Sequence, residues 1–286
     1  MIIENAYAKI NLTLDVYPKR DDGYHDLKSV MQSVSLCDTV TMRRSDGIFL
    51  TCSDKSLPCD ERNLAYKAAK LFFEYTGAAG GVLMHLEKHI PSPAGLGGGS
   101  SDAAAVFRGL NKLYGTGLTF EEMRKAVAAI GSDTSFCIEG GTALCEGRGE
   151  NVTALKHLGV LYYVICIKGE GLPTPRVFKL FDEKSEPSVY TTEKLIEKIE
   201  NGALTDAVKC FSNTLEAVSI LERPAISELK SKLMNCGALF AQMSGSGPSV
   251  FGVFLNETDA GKAASQLRFE NVFARVCTAV SAEKLS

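Results

Sequence analysis

One stretch of the sequence, PSPAGLGGGSSDAAA at residues 91–105, constrains the fold more than any other. Four of the five residues from Gly95 to Gly99 are glycine, and they run through two serines into an amphipathic helical pattern. Each glycine costs up to ~1 kcal/mol of backbone entropy relative to alanine, so a mere linker is a poor explanation. Uncovered backbone N–H groups at a helix N-terminus form an anion site. The stretch therefore predicts a phosphate-binding loop.

The helix after this loop is predicted to be capped by Ser100 or Ser101, with Asp102 in its first turn and Gly115 at its end. The residues of its predicted buried face follow a spacing of three and four: Ala103, Val106, Phe107, Leu110, Leu113 and Tyr114. Neither familiar glycine signature fits this loop. A Walker A loop contains a lysine, which is missing here, and the dinucleotide fingerprint needs a glycine where Ser100 stands.

Three stretches of the chain resemble the GHMP kinases, the superfamily that includes galactokinase, homoserine kinase and mevalonate kinase. The loop at 91–105 is similar to their second motif. The stretch MSGSGPSVFGVF at 243–254 is similar to their C-terminal glycine motif. Its residues 244–247 form either a tight turn or part of the active cleft. AYAKINLTLDVYPKRDDGYHDL at 6–27 is similar to the members that act on a cytidyl diphosphate-linked polyol. The resemblance implies an ATP-dependent kinase of isoprenoid-precursor biosynthesis that phosphorylates a hydroxyl of that polyol.

Residues 6–16 alternate between apolar and polar side chains, which predicts a strand. Lys9 and Asn11 would then lie about 7 Å apart on one face, at ~3.3 Å of rise per residue. By spacing alone, a solvated strand face explains them equally well. The resemblance implies that both face the reacting phosphoryl group and the substrate, with Lys9 catalytic and Asn11 substrate-binding.

Tyr24 and His25 follow a turn that Asp22 and Gly23 predict. An aromatic ring beside an imidazole can stack on a nucleobase and hydrogen-bond its edge, although such a pair often fills a core or a turn. The resemblance implies that Tyr24 stacks on the cytosine of the substrate and that His25 hydrogen-bonds it.

The ATP site implied by the resemblance has three parts. Asn63 and Leu64, which begin a predicted helix over 63–76, would line the adenine pocket, although a helix cap and a core leucine explain them equally well. Lys88 either neutralises nucleotide phosphate or is an exposed strand lysine. The loop itself contributes the remaining residues: Pro91, Ser92, Pro93, Ala94, Gly95, Leu96, Gly97, Gly98, Gly99, Ser100 and Ser101.

Asp133 follows the predicted end of a helix, where an aspartate usually caps the next helix. The family places its catalytic aspartate here, in the pattern Gly-x-Asp-x-Pro-Phe. This chain keeps the glycine, the aspartate and the phenylalanine but has Ser135 in the place of the proline. The resemblance implies that Asp133 accepts the proton of the acceptor hydroxyl and that Lys9 orients it.

Strands and helices mix without strict alternation, which predicts an α+β fold. The resemblance implies the two-domain GHMP kinase fold, in which an N-terminal domain similar to ribosomal protein S5 domain 2 precedes a ferredoxin-like C-terminal domain. A glycine-broken segment before an apolar strand predicts a boundary that gives domains 1–153 and 154–286. Thr174 begins a predicted helix, and the resemblance places it near the substrate.

Further elements are predicted from the same patterns. Short strands over 34–52 should be joined by a hairpin turn at 45–47. A capping box at Thr119 and Glu122 should start a helix that ends at Gly131. The C-terminal half should contain helices at 192–200, 205–221, 225–235 and 258–268 and strands at 238–243, 249–255 and 272–280.

Composition narrows the partners and the location. A net charge of −3 gives no basic field that would recruit nucleic acid, and the longest apolar run, 160–167, is far too short for a membrane span. Nine scattered cysteines without a CxxC pair predict free thiols in a reducing cytoplasm rather than disulfides or zinc ligands. The predicted partners are small molecules, namely ATP and the polyol, with Mg²⁺ carried on the nucleotide and no metal site on the protein.

Two other functions are compatible with the same motifs. A GHMP kinase for a sugar, homoserine or mevalonate would share the loop and Asp133 but not the Tyr24-His25 pair. A non-catalytic module that holds a nucleotide or RNA is disfavoured by the acidic net charge and by the predicted pairing of Lys9 with Asp133.

Overall fold

The computed structural model describes residues 1–184 and 189–285. Its strands form two sheets, one of eight strands and one of four, and helices pack against both sheets. The predicted α+β fold class is confirmed. The boundary at residue 153 stays a prediction; the strands of the larger sheet, apart from one short strand at Ser212–Asn213, end at Ala154, and those of the smaller sheet begin at Tyr162.

The larger sheet is built around one long strand, β3 (His25–Ser45). Its antiparallel neighbours are β1 (Ile2–Asn11), β2 (Thr13–Lys19), β5 (Gly81–Glu87) and β6 (Thr142–Gly147). The outer strands are β4 (Phe49–Cys52), β7 (Asn151–Ala154) and β9 (Ser212–Asn213). The predicted strand over 6–16 is thus two strands, because the register against β3 shifts between β1 and β2.

The prediction of short strands and a hairpin over 34–52 is wrong. Strand β4 pairs in parallel with β5 and not with β3, so the bend at 46–47 carries the chain past β5. Three of the four apolar residues of β5, Val82, Met84 and Leu86, are fully buried. Strand β5 therefore takes the interior position between β4 and β3.

Helix α2 (Gly98–Tyr114) lies against the larger sheet and contacts the helices α1 (Leu64–Thr76), α3 (Phe120–Val127) and α4 (Thr134–Glu139). Four residues of its predicted face, Ala103, Val106, Phe107 and Leu110, are fully buried, and Gly115 ends the helix as predicted. Asn63 caps α1 as predicted, because its side chain accepts a hydrogen bond from the N–H of Ala65. Tyr75, near the end of α1, is half-exposed.

Helix α2 begins earlier than predicted. Gly97 is its N-cap with φ of 70°, and Gly98 is the first helical residue, so neither serine caps the helix and Asp102 lies beyond the first turn. The left-handed backbone at Gly97 favours glycine. The hydroxyl of Ser101 donates to the carbonyl of Gly98 instead of capping the helix.

The smaller sheet has the order β10 (Phe240–Met243), β11 (Val250–Phe254), β8 (Tyr162–Ile167) and β12 (Phe273–Thr278), and its neighbouring strands are antiparallel. Helices α9 (Ala225–Asn235) and α10 (Glu257–Phe269) pack on one face. On the other face, Tyr163 and Phe251 belong to a core cluster that also contains Ile10 of β1 and Leu12, which lies between β1 and β2. This shared core fixes β1 against the second half of the chain.

The remaining helices are α5 (Thr174–Glu183), α6 (Thr192–Glu200), α7 (Leu204–Val208), α8 (Glu216–Glu222) and a 3₁₀ turn at Ala282–Lys284. The predicted helix over 205–221 is wrong, since β9 interrupts it and pairs in parallel with β2. The capping box that starts α3 is confirmed, but the helix ends at Val127, so Gly131 does not end it. No helix within 1–184 and 189–285 is long and apolar enough to cross a membrane.

Candidate active site

Lys9 lies at the centre of a buried polar cluster at the end of β1. Its ammonium is 3.2 Å from Oδ2 of Asp133 and donates to Oδ1 of Asn11 at 2.7 Å. The Lys9 side chain is only 4% exposed and that of Asp133 24%, so water screens this pair weakly. The interpretation as a solvated strand face is wrong. An ammonium held beside a carboxylate in this way can orient the carboxylate toward a hydroxyl.

Asp133 occupies the N-cap position of α4, but its side chain makes no capping hydrogen bond. The capping interpretation therefore fails for the side chain, which turns toward Lys9. Ser135, which replaces the proline of the family pattern, is fully buried, and its hydroxyl donates to the carbonyl of Arg124 at 3.2 Å. This bond ties the first turn of α4 to α3, so the segment after Asp133 is held without the proline.

The glycine loop presents backbone donors. Because α2 begins at Gly98 without a side-chain cap, the N–H groups of Gly98, Gly99 and Ser100 have no acceptor within the helix. The aligned peptides of this 17-residue helix add roughly half a positive charge at the same point. This combination forms an anion site of the kind that binds phosphate.

Both glycine motifs meet at this loop. The hydroxyl of Ser244 donates to the carbonyl of Gly95 at 3.0 Å, and the N–H of Lys9 donates to the carbonyl of Leu96 at 2.9 Å. A Cβ on Gly95, which has φ of 76°, would lie 2.2 Å from the carbonyl oxygen of Ser244, so only glycine fits there. The segment 244–247 is thus part of the cleft rather than an isolated turn.

A cavity of about 710 Å³ opens beside the loop, β1 and α5. Several of the predicted site residues line it: Lys9, Asn11, Tyr24, His25, Gly95, Ser100, Asp133 and Thr174. The other predicted ATP-site residues lie outside its lining: Asn63, Leu64, Lys88, Pro91, Ser92, Pro93, Ala94, Leu96, Gly97, Gly98, Gly99 and Ser101. Leu64 nevertheless adjoins the loop, because a Cβ on Gly99 would lie 3.4 Å from its Cδ1.

His25 is fixed at the end of the cavity away from the loop. Its Nδ1 lies 2.8 Å from the carbonyl oxygen of Tyr17, and its Nε2 lies 3.0 Å from Oδ1 of Asp182. Phe178 and Phe181 pack against the imidazole, with ring centroids at 5.3 and 5.7 Å. The ring is therefore held rigidly, with Nε2 free of any well-aligned hydrogen bond among the described residues.

Comparisons with protein families, curated relatives and solved structures all match this chain to the same kinase superfamily, over most of its length. The family described as the GHMP kinases N terminal domain matches residues 63–141, and the GHMP kinases C terminal family matches residues 193–272. The 4-diphosphocytidyl-2-C-methyl-D-erythritol kinase of Caldicellulosiruptor saccharolyticus is 44% identical over 269 residues, which cover 93% of each chain. This chain belongs to the 4-diphosphocytidyl-2-C-methyl-D-erythritol kinase family. The resemblance to the GHMP kinases is thereby confirmed.

Other members of this kinase family and superfamily agree. The 4-diphosphocytidyl-2-C-methyl-D-erythritol kinase of Clostridium botulinum (strain Alaska E43 / Type E3) is 44% identical over 92% of this chain and 94% of its own. A crystal structure of 4-(cytidine 5'-diphospho)-2C-methyl-D-erythritol kinase superposes with a TM-score of 0.83 at 32% identity, covering 97% of this chain and 99% of its own. Homoserine kinase from Cytophaga hutchinsonii shares the fold, with a TM-score of 0.79 at 19% identity over 98% and 94% of the two chains.

Lys88 is a buried ion-pair residue rather than an exposed strand lysine. Its side chain is 5% exposed, and its ammonium binds two buried carboxylates, Oδ2 of Asp102 at 2.5 Å and Oδ2 of Asp38. The other oxygen of Asp38 accepts a hydrogen bond from the N–H of Ile90 at 2.8 Å. The exposed-lysine interpretation is wrong. This cluster ties β3, the entry to the loop and α2 together, and a direct contact of Lys88 with phosphate stays a prediction.

The Asp102 cluster gives the folded state a distinctive pH dependence. Burial raises the pKa of Asp102 to about 7, although Lys88 lowers it. An aspartate has an unfolded pKa of about 4, so between about pH 4 and about pH 7 the folded state holds the extra proton and the free energy of unfolding falls as pH rises. Asp102→Asn, which carries no titrating proton, should remove this contribution. Urea unfolding at pH 5, 6, 7 and 8 measures it.

The control for Asp102→Asn is Asp46→Asn, which changes an exposed aspartate. The difference in unfolding free energy between Asp102→Asn and wild type should grow in favour of the variant as the pH rises. Asp46→Asn should follow the wild type. A difference that stays constant from pH 5 to pH 8 would show that Asp102 does not titrate in this range.

Sequence reasoning missed several residues of the cleft. Phe178, Phe181 and Asp182 all lie on α5, and their spacing of three and four after Thr174 was the available signal. Ser246 of the second glycine segment pairs with Thr174, with their hydroxyl oxygens 2.9 Å apart. These contacts connect α5 both to His25 and to the second glycine segment.

Asn213 and Glu216 were also missed, because the sequence placed both inside one long helix. The amide of Asn213 donates to the carbonyls of Met243 and Gly245 at 2.9 and 2.8 Å. Glu216 accepts a hydrogen bond from the N–H of Met243 at 2.8 Å. Both side chains therefore hold the second glycine segment in its place beside Lys9 and Gly95.

Proposed function

We propose that this chain is an ATP-dependent kinase that phosphorylates the 2-hydroxyl of 4-diphosphocytidyl-2-C-methyl-D-erythritol, in the methylerythritol phosphate route to isoprenoid precursors. One observation carries the proposal. A Cβ placed on Gly97 would lie 2.9 Å from Cγ of Lys9 and 3.5 Å from Oδ2 of Asp133. The phosphate loop, the lysine and the aspartate therefore converge on one point, where a terminal phosphate and an acceptor hydroxyl can meet.

Phosphoryl transfer depends on positioning and on stabilising charge more than on covalent chemistry. The free N–H groups of Gly98, Gly99 and Ser100 would hold ATP phosphates at the start of α2. Lys9 would neutralise charge on the transferring group and orient Asp133. Asp133 would accept the proton of the hydroxyl as the oxygen attacks the phosphorus. Asn63 and Leu64 would contribute to the adenine pocket beside the loop.

The other end of the cavity would hold the cytidyl group. Tyr24 would stack on the cytosine, and His25 would hydrogen-bond its edge. Asn11 and Thr174 would contact the substrate between the two ends. A cavity of about 710 Å³ is in the range of small-molecule sites and large enough for this elongated substrate.

Mg²⁺ would enter with the nucleotide. Among the described residues, no group of three or more His, Cys, Asp or Glu side chains could hold a metal ion by itself. Magnesium in kinases is bound largely by phosphate oxygens and water, so it supplies charge neutralisation on ATP.

The nine cysteines are all free thiols, which supports a location in the reducing cytoplasm.

The decisive experiment is a direct assay. The purified protein is incubated with Mg-ATP and 4-diphosphocytidyl-2-C-methyl-D-erythritol, and ADP and the 2-phosphorylated product are detected by mass spectrometry. Mevalonate, homoserine and galactose are tested in parallel as acceptors. Turnover with one of these three alone would identify a different GHMP kinase, and no turnover with any acceptor would favour a binding module.

Lys9→Ala is expected to lower kcat by about 10²-fold while changing the KM for ATP much less, because charge stabilisation strengthens in the transition state. Steady-state kinetics with varied ATP separates the two constants. Lys125→Ala removes an exposed lysine in a surface ion pair and serves as the control. A large rise in the KM for ATP at an unchanged kcat would reduce Lys9 to a binding residue.

A further inference from the structure

Arg148 is a charged residue of the cavity for which the sequence suggested no role. We propose that Arg148 binds the diphosphate of the cytidyl substrate while it packs against Tyr24. This inference rests on the proposed function, since it concerns the same substrate. Arg148 would then be a specificity residue in the segment between β6 and β7, where the sequence predicted no site residue.

The contact with Tyr24 is the first observation. Cζ of Arg148 lies 3.9 Å from the centroid of the Tyr24 ring, in cation–π distance. Tyr24 itself is half-exposed and lines the cavity. A planar guanidinium on one face of the ring holds the side chain in place, and the opposite face is left for a nucleobase.

The position of the turn at residues 148–150, between β6 and β7, is the second observation. A Cβ on Gly149 would lie 2.9 Å from the carbonyl oxygen of Ser132, the residue directly before Asp133. The same turn therefore touches Tyr24 at the cytidyl end and the backbone of the Asp133 segment at the reacting end. In a cytidyl diphosphate-linked polyol, the diphosphate connects these two ends. Arg148 lies where that linker must pass.

The charges of the cavity are the third observation. Lys9 pairs with Asp133, Lys19 pairs with Asp182, and Nζ of Lys179 lies 4.0 Å from a carboxylate oxygen of Glu183. Within the part of the chain that the structure describes, Arg148 is the cavity cation that makes no ion pair with a carboxylate. Its N–H groups are available, and a guanidinium matches two phosphate oxygens in a forked geometry.

The test measures binding of cytidine diphosphate and of cytidine by titration calorimetry to wild type, Arg148→Ala and Arg148→Lys. Loss of a charge-assisted hydrogen bond weakens binding by about tenfold or more. Arg148→Ala should therefore lower the affinity for cytidine diphosphate by at least about tenfold more than it lowers the affinity for cytidine. Arg148→Lys, which keeps the charge without the planar fork, should fall between Arg148→Ala and wild type.

A matched control exists in Arg44, whose Cζ lies 4.7 Å from the ring centroid of Tyr114; neither residue lines the cavity. Arg44→Ala also removes an arginine from a tyrosine face and should leave both affinities unchanged. The inference fails if Arg148→Ala leaves cytidine diphosphate binding unchanged, or if cytidine and cytidine diphosphate lose affinity equally. Thermal unfolding of each variant confirms that it is folded.

Kinetics separates this inference from the proposed function. With the cytidyl substrate, Arg148→Ala should raise its KM by about tenfold and leave the KM for ATP unchanged, as expected for loss of uniform binding. If wild type fails to phosphorylate that substrate, the proposed function is wrong, whereas the binding comparison still decides the role of Arg148. If wild type is active and the nucleotide preference of Arg148→Ala is unchanged, only the inference is wrong.

Discussion

Asp133→Asn is expected to lower kcat by a factor of about 10² to 10⁴, the usual contribution of a general base. Asparagine has nearly the same shape but cannot accept the proton of the acceptor hydroxyl. Both Michaelis constants should change much less, because the carboxylate acts mainly in the transition state. Steady-state kinetics with each substrate varied in turn measures the split.

The matched control for this variant is Asp46→Asn, which changes an exposed aspartate directly after the C-terminal end of β3. It should have wild-type kinetics. Thermal unfolding should show that Asp133→Asn is folded, since the native side chain makes no capping bond that the substitution would break. Full activity in Asp133→Asn would exclude Asp133 as the base and leave the Lys9 cluster with an electrostatic role only.

Gly97→Ala is expected to lower kcat/KM by about 10²-fold or more, since displacing catalytic groups by about 1 Å has an effect of this size. Gly97 has φ of 70°, and an added Cβ would lie 2.9 Å from Cγ of Lys9. The added methyl group must therefore move either the loop that we propose holds the phosphates or the lysine that we propose acts on them.

Gly117→Ala provides a control with the same backbone strain. Gly117 has φ of 71°, but an added Cβ there would meet nothing within 4 Å. Both variants should lose about 1 to 2 kcal/mol of stability from the left-handed backbone, and Gly97→Ala should lose more because its methyl group also displaces Lys9 or the loop. Only Gly97→Ala should lose activity. Equal kcat/KM values for the two variants would show that the space at Gly97 does not matter for catalysis.

The parts of the site that the sequence predicted depend on local geometry or on short motifs. The alternation around Lys9 and Asn11 put both side chains on one face, and the structure joins them by a hydrogen bond. The glycine run predicted a helix N-terminus with uncovered N–H groups. The exact start of that helix was not predictable, because a glycine such as Gly97 is compatible with a loop, a helix or a left-handed cap.

The parts that the sequence did not predict depend on contacts between distant segments. Lys88 had the same local pattern as an exposed strand lysine, and only the position of Asp38 on the neighbouring strand makes it a buried ion-pair residue. Asn213 sat in a helical pattern that β9 interrupts, because pairing with β2 stabilises the extended backbone there. Arg148 contacts the ring of Tyr24 in the cavity lining, and neither sequence segment carries a local pattern that predicts this contact.

The three motifs therefore act as one unit. Strand β1 supplies Lys9, the first glycine loop presents the N–H groups that we propose bind phosphate, and the second glycine segment packs on the loop through Ser244 and Gly95. The shared core between the two sheets holds these parts in register. Substitutions that loosen this core should reduce activity before they reduce folding, because residues from both halves of the chain line the cleft.

The most direct test of the central claim is a crystal structure of the protein with a non-hydrolysable ATP analogue and the cytidyl substrate. The account predicts terminal phosphate oxygens about 3 Å from the N–H groups of Gly98 to Ser100, with Lys9 beside them and the 2-hydroxyl of the substrate on the carboxylate of Asp133. A triphosphate bound away from this loop, or an acceptor hydroxyl beyond the reach of Asp133, would contradict it.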